Sequence, residues 1–296
     1  MTIAGPILVT GGTGFIGRRL IDRLLESTAD VASFALPDEP VPDHWGERVK
    51  VLRGNITKAG DVDAAMAGIN TVFHLAAIVG IGAYDAHWAV TVEGSRNLYD
   101  AAVANRAKVV LASSIVVYGD QIRTRRCHEG LDHGKHQGAY SRAKMAQEKL
   151  ALAYHADRGM SLVVVRPGNV YGAGSGPWVE TILGLIRAEA LPVIGDGSGN
   201  AGLVHVANLV EAFLLAAADP KANGQVYTAC DGLDVTWARY FNDLAAMVGK
   251  SPLPNVPLEP LIAAARELED PEHLKAMDGM PTFPLEILNL IGFDNR

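Results

Sequence analysis

The sequence predicts an α/β protein built on a doubly wound parallel sheet, with a small C-terminal lobe. Three observations carry this. Short apolar runs alternate with longer helical stretches through the first two-thirds of the chain. The runs are near-continuous in apolar residues rather than alternating, as strands covered on both faces are. A glycine-rich turn, Gly11 to Gly17, stands directly between the first run and the first helical stretch. At 296 residues the chain is long enough to bury a substantial core, as one large domain or a main domain with a smaller part.

Taken in order, Ile7–Thr10 is the first strand and 15–27 the first helix. Strands are expected at Val31–Leu36 and Val49–Leu52, a helix near 61–67, a strand at Thr71–Leu75 and a helix over 86–105. Val109–Ser113, a helix over 138–158 and Leu162–Arg166 complete the alternation. Each strand candidate is short and rich in β-branched or apolar residues. Beyond Arg166 the pattern loosens. Gly172 to Gly176 and Gly195 to Gly202 read as loops. Leu203 to Ala218 is the most apolar long run, but His205, Asn208 and Glu211 interrupt it. That suits a buried or amphipathic helix and not a membrane span of roughly 20 apolar residues. Ser251 to Pro260 holds four prolines and predicts an extended connector. A helix near 259–269 and the end of the chain near 281–291 are assigned to the small lobe.

Composition bounds the function. Hydrophobic residues make up 49% and charged ones 20%, the balance of an ordinary globular protein. A net charge of -7 argues against a broad nucleic-acid surface, which needs clustered Lys and Arg. Arg123, Arg125 and Arg126 form one small basic group, read as a solvated loop. Cys127 and Cys230 need not pair, so nothing requires an oxidising compartment. The N-terminus enters a strand with neither a basic segment nor a long apolar one, and a cytoplasmic location is expected.

The turn reads Thr10-Gly11-Gly12-Thr13-Gly14-Phe15-Ile16-Gly17. Glycines at 11, 14 and 17 allow a tight turn, close backbone approach to a pyrophosphate, and close helix–strand packing. The phosphates would sit at the helix N-terminus, where free N–H groups and the helix dipole favour anions. The strand–turn–helix context makes this a Rossmann dinucleotide site, with Phe15 and Ile16 in its first helical turn. An acid is expected at the end of the second strand to hold the ribose hydroxyls. Ala35 stands there instead, followed by Leu36-Pro37-Asp38, and no Arg waits for a 2′-phosphate. Asp38 and Glu39 would repel such a phosphate, which favours NAD, with NADP the alternative. Residues 1–170 are therefore assigned mainly to dinucleotide binding. Residues 171–296 are assigned mainly to a substrate-binding lobe, with some segments returning to the main sheet.

Further groups of residues follow the turn: His74-Leu75-Ala76-Ala77, Ser113-Ser114 ahead of Val117-Tyr118-Gly119, and Tyr140-Ser141-Arg142-Ala143-Lys144. Arg166-Pro167-Gly168-Asn169-Val170-Tyr171-Gly172 and His205-Val206-Ala207-Asn208 come after them. With these, the chain resembles an extended short-chain dehydrogenase/reductase of the epimerase/dehydratase group over at least residues 7–250. The resemblance implies a catalytic set of Ser114, Tyr140 and Lys144, with Lys144 also reaching the nicotinamide ribose. It places Asn55, beside Ile56, where the family carries an Asp at the adenine. It puts Leu75, Ala76 and Ala77 against the cofactor, and Pro167 and Asn169 at the nicotinamide and substrate end. Thr91 stands where the family has an Asn, which leaves an Asn-assisted proton relay without its residue. A homodimer is also implied.

The residues themselves suit that chemistry. Tyr140 and Lys144 are four apart on an expected helix and so share a face. A free tyrosine has a pKa of about 10 and is a poor base near neutrality; a nearby ammonium favours phenolate. Ser114 ends the fifth strand, on the carboxyl edge where ligands bind in open α/β sheets. Its hydroxyl can hydrogen-bond a substrate oxygen as charge develops.

Substrate signals point away from sugar nucleotides. Ile115 and Val116 follow Ser114 where dehydratases of the group carry an acid pair. No Arg lies in Asn200-Ala201-Gly202-Leu203-Val204-His205 to meet a diphosphate, and Asn208 replaces the final Asp of the epimerase segment. The His-Val-x-Asn form is closer to the sterol dehydrogenase-like branch. Trp178, Leu183 and Ile186 either line an apolar cleft or are core. Cys127, His128, His133 and His136 match no zinc framework, so no metal is assigned. Their segment reads as a mobile loop over the active site, with His128 or His136 touching substrate. The expected activity is an NAD(P)-dependent interconversion of a secondary alcohol and a ketone, on a small apolar or steroid-like molecule. An epimerase that retains its NAD is the first alternative and a non-catalytic dinucleotide-sensing regulator the second. The partner is a small-molecule substrate, without nucleic acid or membrane.

Overall fold

The computed structural model describes residues 3–27, 30–80, 83–136, 138–261, 263 and 291. They form two compact units, each drawn from three stretches of chain.

The first unit comprises Met1–Val117, Ala139–Gly168 and Val204–Ala229. Its elements are β1 (Ile7–Thr10), α1 (Phe15–Leu24), β2 (Val31–Ala35), β3 (Val49–Arg53), α2 (Ala59–Met66) and β4 (Thr71–His74). There follow α3 (Tyr84–His87), α4 (Gly94–Asn105), β5 (Lys108–Ala112), α5 (Ala139–Arg158) and β6 (Leu162–Pro167). Seven strands join one parallel sheet in the order β10-β6-β5-β4-β1-β2-β3, where β10 is Val226–Ala229. The chain runs outward from β1 through β2 to β3, then returns to lay β4 on the other side of β1. The order reverses there, and the carboxyl ends of β1 and β4 bound the crevice where such sheets hold ligands. Thr10 at the end of β1 is in register with Phe34 on β2 and His74 on β4. Leu8, Val72, Val109, Leu111, Leu162 and Val164 are buried in one cluster with Val62, Leu98 and Ala102 from α2 and α4. The alternate residues Ile7, Val9, Phe73, Val110, Val163 and Val165, which face the other side of the sheet, are buried as well, and this cover on both faces explains why the strands read as continuous apolar runs.

The structure alters three expectations in this unit. β2 stops at Ala35, so Leu36 lies outside it and is exposed. The helix expected over 86–105 is α3, a π-helical turn at Trp88–Glu93, and α4. Within it the Ser95 hydroxyl donates to the Thr91 carbonyl at 2.5 Å. Wide π turns are frequent at functional sites. The helix expected over 203–218 starts only at Val206, as α7 (Val206–Ala218), because Leu203–His205 is a strand; the helix is buried on one side, with Leu215 exposed. Among the described residues no helix is long and apolar enough to cross a membrane.

The second unit comprises Tyr118–Gly138, Asn169–Leu203 and Cys230–Arg296. A core of Ile182, Ile186, Ile194, Trp237, Phe241 and Leu244 holds it together. The helices are α6 (Thr181–Arg187) and α8 (Trp237–Met247), the latter capped by the Thr236 hydroxyl on Arg239 N at 3.1 Å. The proline-rich stretch is not a plain connector. It contains Asn255–Val256, paired in parallel with Val193–Ile194. Prolines only line this pairing: the Pro254 carbonyl accepts from Val193 N at 2.8 Å and no proline N–H is required. The chain is helical again at 258–261. The rest of the helix expected over 259–269, and the end near 281–291, lie outside the described residues, apart from 263 and 291.

Candidate active site

The turn after β1 is built on backbone contacts that only glycine permits. Gly11 has φ of 67°, and a Cβ there would lie 3.0 Å from Ala76 N. A Cβ on Gly17 would lie 2.2 Å from the Gly11 carbonyl oxygen, so Gly17 is required for the turn to close. Gly14 differs: its Cβ would meet only the Gly11 oxygen, at 3.3 Å. Gly14 is also the N-cap of α1 and has no side chain to satisfy the first-turn N–H groups, so Phe15 and Ile16 open a helix end suited to an anion. This cradle, which a Cβ at 14 would fill, fits a dinucleotide pyrophosphate.

An acid reaches this turn from an unexpected place. Glu39 N donates to the Leu36 carbonyl at 3.2 Å, closing a turn through Pro37 and Asp38. The Glu39 carboxylate is thereby carried back to the end of β2. It accepts from the Thr13 hydroxyl and, at 3.2 Å, from Leu36 N. Arg53, at the end of β3, holds the turn through the carbonyls of Leu36 and Glu39 at 2.9 and 2.5 Å. The acid missing at Ala35 thus has a counterpart four positions on. Proline in a tight turn was the signal that could have found it.

The other expected cofactor residues lie around this centre. Leu75 N donates to the Thr10 carbonyl and Ala76 N to the Thr10 hydroxyl, each at 3.2 Å. That fixes the backbone of 75–77 over the end of β1, with Ala77 half-buried beside them. Asn55 is occupied locally: its side-chain oxygen accepts from Thr57 N and Oγ1 at 3.0 and 2.9 Å. Ile56 is buried under Gly94, whose Cβ would lie 2.8 Å from it. Pro167 ends β6 opposite Ala229 of β10. Asn169 opens a stretch of the second unit, where its side-chain amide donates to the Ala201 carbonyl at 2.6 Å.

Ser114, Tyr140 and Lys144 all belong to the first unit. Ser114 follows β5 and is only 9% exposed. Its oxygen accepts from Val116 N at 3.3 Å, and its hydrogen has no acceptor among the described residues. Tyr140 and Lys144 stand one turn apart near the start of α5. The Tyr140 ring is half-buried and meets the ring of His87 edge-on, with centroids 6.2 Å apart. Lys144 is 3% exposed, and its ammonium donates to the Ala112 carbonyl at 2.8 Å and to Gln147 Oε1 at 3.0 Å. Ala112 is the last residue of β5, two before Ser114, so this bond ties α5 to the strand end that carries the serine. Burial pushes the Lys144 ammonium down to about 8, against a smaller upward pull from Glu148.

The other candidate residues lie in the second unit. The loop at 118–138 is fastened to itself: Asp120 N donates to the Lys135 carbonyl at 3.1 Å, and Lys135 N to Asp120 Oδ1 at 2.8 Å. His128 and His136 are exposed on it, and His128 Nδ1 accepts from Gly130 N at 3.2 Å. Among the described residues no three His, Cys, Asp or Glu side chains come together as a metal site. Ile186 is core, and Trp178 lies against Trp237 with ring centroids 5.5 Å apart.

The chain is similar to known proteins. The family model described as "NAD dependent epimerase/dehydratase family" matches residues 7–230. A 3-beta-hydroxysteroid dehydrogenase of Mycolicibacterium neoaurum is 32% identical over 273 residues, 86% of this chain and 73% of that protein. A 3 beta-hydroxysteroid dehydrogenase/Delta 5→4-isomerase of Mycobacterium tuberculosis is 32% identical over 243 residues, 76% of this chain and 65% of that protein. The chain thus spans about two-thirds to three-quarters of the length of these relatives. The structure of MoeE5 in complex with UDP-glucuronic acid and NAD is similar with a TM-score of 0.70 and 29% identity, covering 86% of this chain and 85% of that one.

Proposed function

The chain belongs to the NAD-dependent epimerase/dehydratase family, and from that premise we propose that it interconverts a secondary alcohol and a ketone of an apolar, steroid-like molecule using NAD. The observation that carries the reading is the Lys144 ammonium, buried and fixed on the carbonyl of Ala112 beside Ser114, one helical turn from Tyr140. When bound, the nicotinamide supplies the hydride acceptor or donor. The chain's own groups do the rest. Tyr140 takes or gives the proton at its phenolic oxygen, and the neighbouring ammonium favours the phenolate that this requires. Ser114 gives its free hydrogen to the same substrate oxygen as charge builds there. Gly11, Gly14 and Gly17, with the N–H groups at Phe15 and Ile16, hold the pyrophosphate; Ala76 and Ala77 leave room for the cofactor.

The choice of NAD over NADP rests on Glu39. Its carboxylate lies at Thr13 and Leu36, where it suits ribose hydroxyls and repels a 2′-phosphate. The steroid-like substrate rests on the absence of a cation between Asn200 and His205 and on the two relatives named as hydroxysteroid dehydrogenases. The likeness to MoeE5 supports a sugar-nucleotide enzyme instead, and retained cofactor separates the two. An epimerase cycle regenerates its own hydride donor and so keeps NAD through purification, whereas a dehydrogenase exchanges it.

The test is a turnover assay with NAD and a panel of 3β-hydroxysteroids, run on the native protein and on Tyr140→Phe. Turnover in the native protein and its loss in the variant, roughly a hundredfold or more, with NADH affinity nearly intact, is the expected result. Near-normal turnover by Tyr140→Phe would remove that residue from its role.

A further inference from the structure

We propose that Gln147 is a positioning residue, which fixes the ammonium of Lys144 through a buried hydrogen-bond chain reaching the end of β1. The proposal rests on the functional reading of Lys144 given above. Gln147 is 1% exposed and stands three residues after Lys144 on α5. Its oxygen accepts from Lys144 Nζ at 3.0 Å, and its NH2 donates to Ser95 Oγ at 2.8 Å. Ser95 Oγ also lies 2.8 Å from His74 Nε2, and His74 Nδ1 lies 2.8 Å from Thr10 Oγ1.

Counting hydrogens orders this chain uniquely. Ser95 has one hydroxyl hydrogen, and it goes to the Thr91 carbonyl at 2.5 Å. His74 Nε2 must then carry a hydrogen and donate to Ser95, so that the serine oxygen accepts twice and is saturated; Gln147 Nε2 also lies 3.3 Å from His74 Nε2, but that nitrogen, being a donor, leaves Ser95 as the acceptor for the NH2. Burial keeps His74 neutral by pushing it down to about 3, with the Lys144 charge acting in the same direction. A neutral ring with hydrogen on Nε2 accepts at Nδ1, so the Thr10 hydroxyl donates there. Thr10 Oγ1 in turn accepts from Ala76 N at 3.2 Å. Every group therefore has one role, and the orientation of the Gln147 amide is forced: oxygen towards Lys144, NH2 towards Ser95.

Two consequences follow. The Ala112 carbonyl and Gln147 take two of the three ammonium hydrogens, leaving one to give elsewhere. The chain of donors ends on the Thr91 backbone oxygen, so it can hold Lys144 but cannot conduct a proton away from it. Thr91, which stands in place of the family's Asn, enters through that oxygen, and its hydroxyl oxygen accepts from Ile78 N at 3.4 Å.

A merely structural glutamine would affect stability alone, so the test reads the ionisation of Tyr140 and cofactor affinity. Tyrosinate absorbance would be titrated in the full-length protein and in Gln147→Met, Ser95→Ala and Lys144→Met, each measured against the same protein also carrying Tyr140→Phe. NADH dissociation constants would be taken from cofactor fluorescence. Gln147→Met is expected to raise the Tyr140 midpoint by roughly one pH unit and to weaken NADH roughly tenfold. Ser95→Ala should move both in the same direction by less, and it carries the test if Gln147→Met fails to fold. A shift in Lys144→Met with none in Gln147→Met or Ser95→Ala overturns this proposal and spares the functional reading. No shift even in Lys144→Met overturns both.

Discussion

Gly14 and Gly17 lie in the same turn, yet what a side chain would meet differs at each. At Gly17 a methyl would sit 2.2 Å from a backbone oxygen, a contact that only a shift of the turn could relieve. At Gly14 the nearest atom would be 3.3 Å away, so the fold can tolerate the methyl while a pyrophosphate cannot. Gly14→Ala is expected to leave the melting temperature nearly unchanged and weaken NADH about tenfold or more, whereas Gly17→Ala lowers the melting temperature by several degrees. Calorimetry with a cofactor titration on both variants checks this, and equal effects on stability would contradict the two roles. His74 supplies a pH dependence. Its pKa is about 3 in the fold against about 6.5 unfolded, so between those values the unfolded chain binds the extra proton. Stability is therefore lost as pH falls through 6.5 towards 3, by about 1.4 kcal/mol per pH unit for this group. The deficit of His74→Gln relative to native protein, measured in urea, should narrow from pH 7 to pH 4; a constant deficit would refute the neutral buried ring. Ser114, Tyr140, Lys144 and the glycines could be named from their spacing and their resemblance to a family. Glu39 could be named as a charge set against a 2′-phosphate, but its contact with the turn appears only in the fold, where the chain turns back at Leu36. Gln147 could not be named, because it is one of several polar residues on α5 until packing shows which of them is buried.

At the scale of elements, α5 is held to the sheet by a buried ion pair as well as by apolar contact. Glu148 and Arg166 are 0% and 3% exposed, and the guanidinium meets the carboxylate at 2.5 Å from Nη2 and 3.2 Å from Nε. The Ser113 hydroxyl, directly after β5, bonds the same carboxylate, so one side chain on α5 grips both β6 and the end of β5. Removing one partner strands the other charge in the interior. Glu148→Ala should cost roughly 3–5 kcal/mol in urea unfolding, while a Glu148→Met, Arg166→Met double variant should cost much less. A double variant as unstable as the single would show that the pair itself stabilises the fold. This pairing was not legible beforehand, because Glu148 and Arg166 lie on different elements and neither breaks a pattern. The central strands were legible, since burial on both faces writes itself as continuous apolar sequence. β10 was not: it is an edge strand, mostly half-exposed with Tyr227 open to solvent, and so lacks that run. Asn255–Val256 is two residues long among prolines, too short for any periodicity to register. The π turn at Trp88–Glu93 keeps a helical pattern in sequence and differs only in hydrogen bonding.

At the scale of the whole molecule, the sheet unit is assembled from three separate stretches of chain, the first carrying the glycine turn and the second Tyr140 and Lys144. A cofactor that binds the folded unit and not the unfolded chain must then stabilise it by mass action. At a hundredfold excess over its dissociation constant the gain is about 2.7 kcal/mol, enough to raise the melting temperature by several degrees. On the proposed reading, the carboxylate of Glu39 at the end of β2 would make this gain selective, because a 2′-phosphate would be brought against a negative charge. Melting curves of cofactor-stripped protein with matched NADH and NADPH are therefore expected to rise further with NADH. The difference should shrink in Glu39→Gln, which keeps an oxygen for Thr13 but removes the charge. A larger rise with NADPH in the native protein would reverse the assignment of NAD. Equal rises that Glu39→Gln does not alter would take Glu39 out of cofactor selection altogether.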